Sequence, residues 1–373
     1  RDMVERVRNH PSIELFTEAT LVDHAGSKGT YTTGIEVGPQ KEYRSLEHGI
    51  VILATGGEEW QPDEYLHGEN PRVITQQAFE EKLVAGEIDP KKLNDVVMIQ
   101  CVGSRNEERP YCSRICCSIA VKNALKIKEI NPDASVNILY RDVRTYGMLE
   151  QYYTKARQQG VLFTRYDPDS KPEVVEENGT VSVTALDPTI QRKVKLKADL
   201  LVLSAAVIPR DNDHVANLLK VSRTLDNFYL EAHMKLRPVD FANDGVFMAG
   251  LGHGPKPIHE SISQAAAAVS RACTIISKDR MQVGGVVAKV EPDKCAVCLI
   301  CVRACPYNVP FIHEDGYSQI DPSLCQGCGN CVAECPNKAI ELQHYTDHQI
   351  LEKSRALTLQ AAGLGTEPTT EDS

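Results

Sequence analysis

Eight cysteines near the C-terminal end have the type and spacing to do chemistry. Cys295, Cys298, Cys301 and Cys305 run as C-x2-C-x2-C-x3-C and close on Pro306; Cys325, Cys328, Cys331 and Cys335 repeat the run and close on Pro336. The repeat extends past the sulfurs, with KVEPDKCAVCLICVRACP standing against QIDPSLCQGCGNCVAECP, so this segment is an internal duplication. A cubane 4Fe–4S cluster takes four thiolates, and in runs of this kind the last cysteine ligates the other cluster. The expected sets are therefore Cys295, Cys298, Cys301 and Cys335 for one cluster, and Cys325, Cys328, Cys331 and Cys305 for the second. The proline after each last cysteine fixes φ and ends the turn. Structural zinc uses paired knuckles rather than a triple run, and disulfide frameworks belong to secreted chains. Both fit this pattern less well than clusters do.

A second group is more ambiguous. Cys101, Cys112, Cys116 and Cys117 form C-x10-C-x3-C-C in the turn between a predicted strand (Val96 to Gln100) and a predicted helix that opens near Tyr111 and runs to about Ile130. On that helix Cys112 and Cys116 would share one face, and a helix N-terminus stabilises thiolate charge. Metal or cluster ligation, a redox-active dithiol, zinc, and buried structural cysteines all fit the spacing.

The elements that must position these groups form an α/β pattern. Residues 13–46 read as a β-meander. They lead into a buried strand that ends in Ala54, Thr55, Gly56 and Gly57, where backbone can approach a ligand at a strand's C-terminal edge. A strand ending in a turn reads the same way. Residues 72–93 read as a polar helix. The strand at 96–100, the helix after it and a strand at Val136 to Tyr140 make a βαβ unit. Its first turn lacks the G-x-G-x-x-G of a dinucleotide site, and only Gly103 stands there beside Cys101. A helix over 149–160, a buried strand from Asp199 to Ala205 and a short helix over 214–221 follow. The strand Asp244–Gly250 then meets Leu251, Lys256 and Pro257, and a long Ala-rich helix runs from Ile258 to Ile276. Glycines at a strand end followed by a helix N-terminus make a place for electron-rich oxygens; close helix packing explains the alanines equally well. The linker is 279–291. A short helix (HQILEKSRAL) and a polar tail (GLGTEPTTEDS) expected to be disordered close the chain.

Composition sets the class. The chain has 373 residues, 42% hydrophobic content and a formal charge of −10, which argues against nucleic acid and suits electron transfer. No run reaches the ~18 apolar residues of a membrane span, and no signal peptide is visible, which points to the cytoplasm. Thirteen cysteines call for metal or redox work in that compartment. The chain opens on Arg1 without Met, inside a helix-like stretch. That implies a true N-terminus further upstream.

The C-terminal run resembles bacterial-type two-cluster ferredoxins. The order of meander, ATGG, βαβ unit, DGVFMAG and Ala-rich helix resembles thioredoxin-reductase-like flavoproteins with two dinucleotide-binding domains. With CVGSR…YCSRICC and AGLGHGPKPIHESISQA, nearly the whole chain resembles the A subunit of heterodisulfide reductase. The resemblance implies an incomplete, split FAD-binding domain (1–94 and 226–278) and a nicotinamide-domain-like Rossmann unit carrying an iron–sulfur site (95–225). A ferredoxin domain (292–345) and a terminal helix and tail (346–373) complete it. It implies FAD near Ala54–Gly57, Ala249, Gly250, Leu251, Lys256, Pro257 and Ile258, with the α-helix dipole and Lys256 stabilising reduced flavin. A surface role for Lys256 stays open. It also implies a third 4Fe–4S cluster at Cys101, Cys112, Cys116 and Cys117, which leaves Cys273 as a buried, inert cysteine. The implied function is an oxidoreductase subunit of anaerobes, in some members electron-bifurcating. Its partners would be other subunits of a heterodisulfide-reductase-like complex and hydrogenase-, formate-dehydrogenase- or ferredoxin-type carriers. Three departures stand out: the FAD pyrophosphate fingerprint is absent, Leu251 replaces the acidic residue of the A-G-D motif, and no Gly-rich loop marks an NAD(P)H site. Two rivals remain: a relay subunit whose flavin is completed by another chain, and an NAD(P)H-dependent enzyme like the small subunit of glutamate synthase.

Overall fold

A computed structural model describes residues 2–177, 179–280, 285–307, 309–322 and 324–362. A short helix α1 (Asp2–Arg8) precedes the meander β1 (Ala19–Ser27), β2 (Thr30–Val37) and β3 (Glu42–His48). Next come β4 (Val51–Leu53), which leads into Ala54, and β5 (Gly57–Glu59).

The central body is built around β6 (Val73–Thr75), α2 (Gln76–Ala85), β7 (Asp95–Val102), α3 (Cys116–Ile130), β8 (Ser135–Tyr140), α4 (Glu150–Gln158) and β9 (Leu162–Arg165). The meander β10 (Glu173–Glu177), β11 (Thr180–Asp187) and β12 (Arg192–Ala198) leads to β13 (Leu200–Ala205) and β14 (Val207–Pro209). Five strands make one parallel sheet in the order β6-β13-β7-β8-β9. Every residue of β13 is buried, because a parallel strand covered on both faces must be apolar throughout. On one face Phe79 of α2 and Ala120, Val121, Ala124 and Ile127 of α3 fill a core against Val96, Met98 and Val202. Their i, i+3, i+4 spacing is that of a helix with one buried stripe. The expected boundary at residue 94 falls inside this body. Here β6 pairs with β13, and α2, capped by Thr75 and ended by left-handed Gly86, packs on the same sheet.

The chain crosses between the two α/β halves where β5 pairs with β14. Gly57 permits that crossing, since a Cβ there would come within 2.9 Å of the Ile208 carbonyl oxygen. After α5 (Asp213–Leu219), β15 (Val246–Met248) pairs in parallel with β4, and α6 (Ile258–Ile276) packs behind them. Only Ala268 and Ala272 of α6 are buried, so close packing of the alanines is confined to one side. Ile258, Ile262, Val269 and Ile276 lie exposed, and Cys273 is also exposed rather than buried.

The last body holds β16 (Ala288–Val290), α7 (Ile300–Ala304), β17 (Pro310–Ile312), β18 (Ser318–Ile320), α8 (Asn330–Glu334) and β19 (Ile340–Leu342). The pairs β16-β19 and β17-β18 reflect the duplication, each taking one strand from each half. The terminal helix α9 (Asp347–Ala361) is longer than expected, starts in a Thr346/Gln349 capping box and buries no side chain. The tail expected to be disordered and residues 281–284 of the expected linker lie outside the described residues. Among the described residues no helix is long and apolar enough to cross a membrane.

Candidate metal centres and cofactor cradle

The ferredoxin cysteines enclose two cavities. Cys295, Cys298, Cys301 and Cys335 line one. Cys305, Cys325, Cys328 and Cys331 line the other. Each run thus sends its fourth thiol to the opposite cavity. Backbone amides point at the sulfurs in equivalent places of the two halves: Ser318 N donates to Cys295 Sγ at 3.4 Å, and Ala288 N to Cys325 Sγ at 3.4 Å. Ala339 N donates to Cys335 Sγ at 3.3 Å. Such donors favour thiolate and tune cluster potential. Burial among its neighbours pushes the Cys331 thiol up to about 12, an environment suited to sulfur whose charge is taken up by a metal. Among the described residues no three His, Cys, Asp or Glu side chains close on a point that would grip a single ion; the thiols of each set face a shared space instead. Four soft donors around an apolar cavity fit a cubane.

The cysteine loops need left-handed backbone at matching positions. Val297 (φ 54) and Leu299 (φ 63) in the first half correspond to Gly327 (φ 66) and Gly329 (φ 80) in the second. The first half therefore holds two non-glycine residues in a costly region. Its sequence shows no glycine to mark the loop.

The second group converges too, by a different route from the one expected. Helix α3 starts at Cys116, so Cys112 sits in the preceding loop and not on a helix face with Cys116. Cys101 is placed by an irregularity in the β7–β13 pairing, with its own φ at 61°. Bulges of this sort re-aim side chains. Cys116 and Cys117 are buried in the first turn of α3. Cys101 acts electrostatically on Cys112, Cys116 and Cys117, and Cys116 on each of the other three. Burial and then the neighbouring Cys117 push the Cys101 thiol up, while Arg105, 4.0 Å from its sulfur, opposes this. A hydrogen bond from Cys116, aided by Arg144 and Arg105, brings Cys117 down to about 7. Cys116, bonded to Cys117 and fully buried among the other thiols, is pushed well up, so the charge next to Arg105 and Arg144 settles on Cys117.

The phosphate-loop position beside this group is filled by protein. Gly103 (φ 70) lies against Trp60, where a Cβ would come within 2.1 Å of the ring, and the Arg109 guanidinium sits 4.5 Å from the ring centroid. Trp60 carries no signal in the sequence, because its contact spans the crossing between the two halves.

The cradle expected for FAD lies at the ends of β4 and β15. Gly56 (φ 80) and Gly250 (φ 78) are left-handed and border open space. Thr55 Oγ1 and the Tyr229 hydroxyl face each other in the interior, and neither makes a hydrogen bond of normal geometry. The first amide of α6 to find a helical acceptor is Ser261, bonded to the Pro257 carbonyl. The amides of Ile258, His259 and Glu260 are thus left to face outward along the helix axis. Ala54 is exposed, Leu251 half-buried and Ala249 buried. Lys256 is buried, not a surface residue: its Nζ donates to Gly250 O at 2.8 Å and to His253 Nδ1 at 3.2 Å. His253 Nε2 in turn donates to Glu231 at 2.9 Å. Burial first, then Arg114, lowers Lys256 to about 8. Orphaned interior hydroxyls, open glycines and a free helix N-terminus fit a ring system with carbonyl oxygens.

The ferredoxin body meets the rest across a groove of about 270 Å³ lined by His24, Tyr31, Asp244, Tyr307, Val309 and Gln326, among others. Tyr307, Val309 and Gln326 also line the cavity of Cys305, Cys325, Cys328 and Cys331.

Comparison with known proteins gives this geometry a context. Residues 318–341 match the family model described as a 4Fe-4S binding domain. An iron-sulfur A subunit of the CoB--CoM heterodisulfide reductase of Methanopyrus kandleri is 38% identical over 302 residues, 76% of this chain and 46% of that protein. The A subunit of the H(2):CoB-CoM heterodisulfide,ferredoxin reductase of Methanothermobacter thermautotrophicus is 34% identical over 91% of this chain and 53% of that protein. Over the stretch it spans, the chain belongs to the A-subunit family of heterodisulfide reductases. It spans about half the length of the curated relatives it matches. Thioredoxin reductase of T. acidophilum is a similar solved structure, with a TM-score of 0.41 and 15% identity over 69% of this chain and 72% of that one.

Proposed function

We propose that this chain is the flavin- and iron–sulfur-dependent electron-transfer segment of a heterodisulfide-reductase-like oxidoreductase. The observation that supports this is the gathering of twelve cysteines into three four-thiol sets, one of them beside the cradle at the N-terminus of α6. Bound FAD would exchange electrons in pairs and the clusters singly. The protein's part is to hold Gly56 and Gly250 open for a ring, to aim the α6 amides and the buried Lys256 at its electron-rich edge, and to keep the clusters in reach. Positive ends of helices and cations favour negative charge on a reduced ring. The Cys305-containing cavity, sharing Tyr307 with the interbody groove, is the side of the ferredoxin unit nearer the body. The domain limits proposed are those expected, with the central body extended back to Val73. Partners would be subunits that bring electrons from hydrogen, formate or ferredoxin, the donors named for relatives, with bifurcation at the flavin and a cytoplasmic setting as further parts of the proposal.

Anaerobically purified protein tests the reading. About twelve irons per chain are expected from three cubanes, with flavin bands above a broad cluster shoulder. About eight irons would remove the Cys101–Cys117 site from it.

A second reading has the flavin completed by another polypeptide. The exposed apolar side of α6 and the two-stranded β4–β15 sheet favour it. A cluster shoulder without flavin bands, restored on adding the partner, would decide for this reading. NAD(P)H chemistry is disfavoured by Trp60 filling the turn at Gly103.

A further inference from the structure

One residue touches both the third thiol set and the first turn of α6. Arg114 lies two residues after Cys112, in left-handed backbone (φ 58). That conformation is uncommon for a residue other than glycine. It turns the Arg114 amide onto Cys112 Sγ at 3.3 Å. The side chain then leaves the central body. Nη1 donates to Pro255 O at 3.2 Å, and Nη2 donates to Glu260 Oε1 at 2.6 Å and to Tyr146 OH at 2.6 Å. Tyr146 OH also reaches Glu260 Oε1 at 3.3 Å, closing a triangle around the carboxylate. The partners at the start of α6 are more than 140 residues away in sequence. No local structural need links the two segments.

We infer that Arg114 is a positioning residue that locks the four-cysteine site to the N-terminal turn of α6 and, with Glu260, sets the reduction potential of the cluster held there. The inference rests on the reading of a cluster at Cys101, Cys112, Cys116 and Cys117. A guanidinium stays charged throughout the working pH range and binds a carboxylate with fixed geometry. Carried on the residue whose amide meets Cys112 Sγ, and turned toward α6, that charge favours an electron arriving at the four-cysteine site through the field between them. Glu260 partly cancels that charge, so the two side chains act with opposite sign. Arg114 itself is neither oxidised nor reduced. The same clamp ties the loop of Cys112 to the first turn of α6.

The test is an EPR-monitored redox titration of the cluster in the anaerobically purified full chain, which needs no bound flavin. Arg114→Gln is expected to lower the cluster potential and Glu260→Gln to raise it. Each change should be at least tenfold in the reduction equilibrium, about 59 mV for one electron. Arg114→Lys, which keeps the charge, should recover most of the loss. A role confined to folding gives no such opposite pair. Unchanged potentials, or shifts of the same sign, overturn the inference while leaving the cluster in place. If Arg114→Gln fails to hold the cluster, Glu260→Gln decides alone, its upward shift for the inference and an unchanged potential against it. Wild-type protein lacking a third cluster signal overturns the underlying reading and the inference with it.

Discussion

Cys335 shares its cavity with Cys295, forty positions earlier in the chain, and not with Cys331, its near neighbour on α8. The exchange is mutual, since Cys305 joins Cys325 in the other cavity. The two halves of the ferredoxin body are therefore interlocked through their ligands.

That interlock predicts a crossed phenotype. Cys335→Ser should damage the cluster of Cys295, Cys298 and Cys301, and Cys305→Ser the cluster of Cys325, Cys328 and Cys331. Each should lose up to about four irons. EPR of double variants settles the pairing: Cys335→Ser with Cys298→Ser should look like either single variant, whereas Cys335→Ser with Cys328→Ser should abolish both signals. The reverse pattern would mean ligation within each run.

The third set should be separable from the other two. Cys116→Ser is expected to remove about four irons and leave both ferredoxin signals intact. Iron analysis with EPR of the reduced protein checks this, and an unchanged iron content would exclude Cys116 as a ligand.

The left-handed loop positions predict unequal tolerance in the second half. Gly327→Val must take φ 66 and also bring its Cβ to within 2.5 Å of the Val286 carbonyl oxygen. Gly329→Leu meets only Leu342 Cδ2, at 3.9 Å. The second change should cost about 1–2 kcal/mol and the first several times more, with loss of cluster. Thermal unfolding of the two proteins side by side measures the difference; equal losses would refute the steric argument.

Lys256 predicts a pH dependence. Burial lowers it to about 8 from its ordinary 10.5, so the unfolded chain holds this proton more tightly than the folded one. Stability from this group therefore rises as pH increases from about 8 to 10.5, and below 8 the full cost of the buried charge is present. Discounted for partial solvation, the effect is on the order of 1–2 kcal/mol. The stability difference between wild type and Lys256→Met, followed by denaturant unfolding over that range, should move in favour of wild type. A flat difference would show that Lys256 is not shifted.

Much of the fold and of the metal sites is legible in residue order. The cysteine runs specify their own cavities, because the spacing C-x2-C-x2-C places three sulfurs on one turn whatever surrounds it. Helix α6 is legible to its ends, Ile258 and Ile276, since Pro257 starts it and alanines sustain it. Strands β7, β8 and β13 announce themselves as apolar runs. Other features depend on residues far apart in sequence. Val73–Thr75 is too short to declare its sheet, and only pairing with β13 places it in the central body. Spacing alone puts Cys112 on a helix that in fact begins four residues later, because the loop before α3 is held by contacts that leave no periodic trace. The exposure of Cys273 is decided by which face of α6 meets β15, and the burial of Lys256 by the turn before α6 that folds its Nζ onto Gly250 O and His253 Nδ1. Sequence spacing by itself determined which thiols are the candidates to bind metal here. Tertiary packing decided how the metal sites connect, because the Arg114–Glu260 pair, the Trp60–Gly103 contact and the Tyr307 groove each join segments whose proximity exists only once the chain has folded.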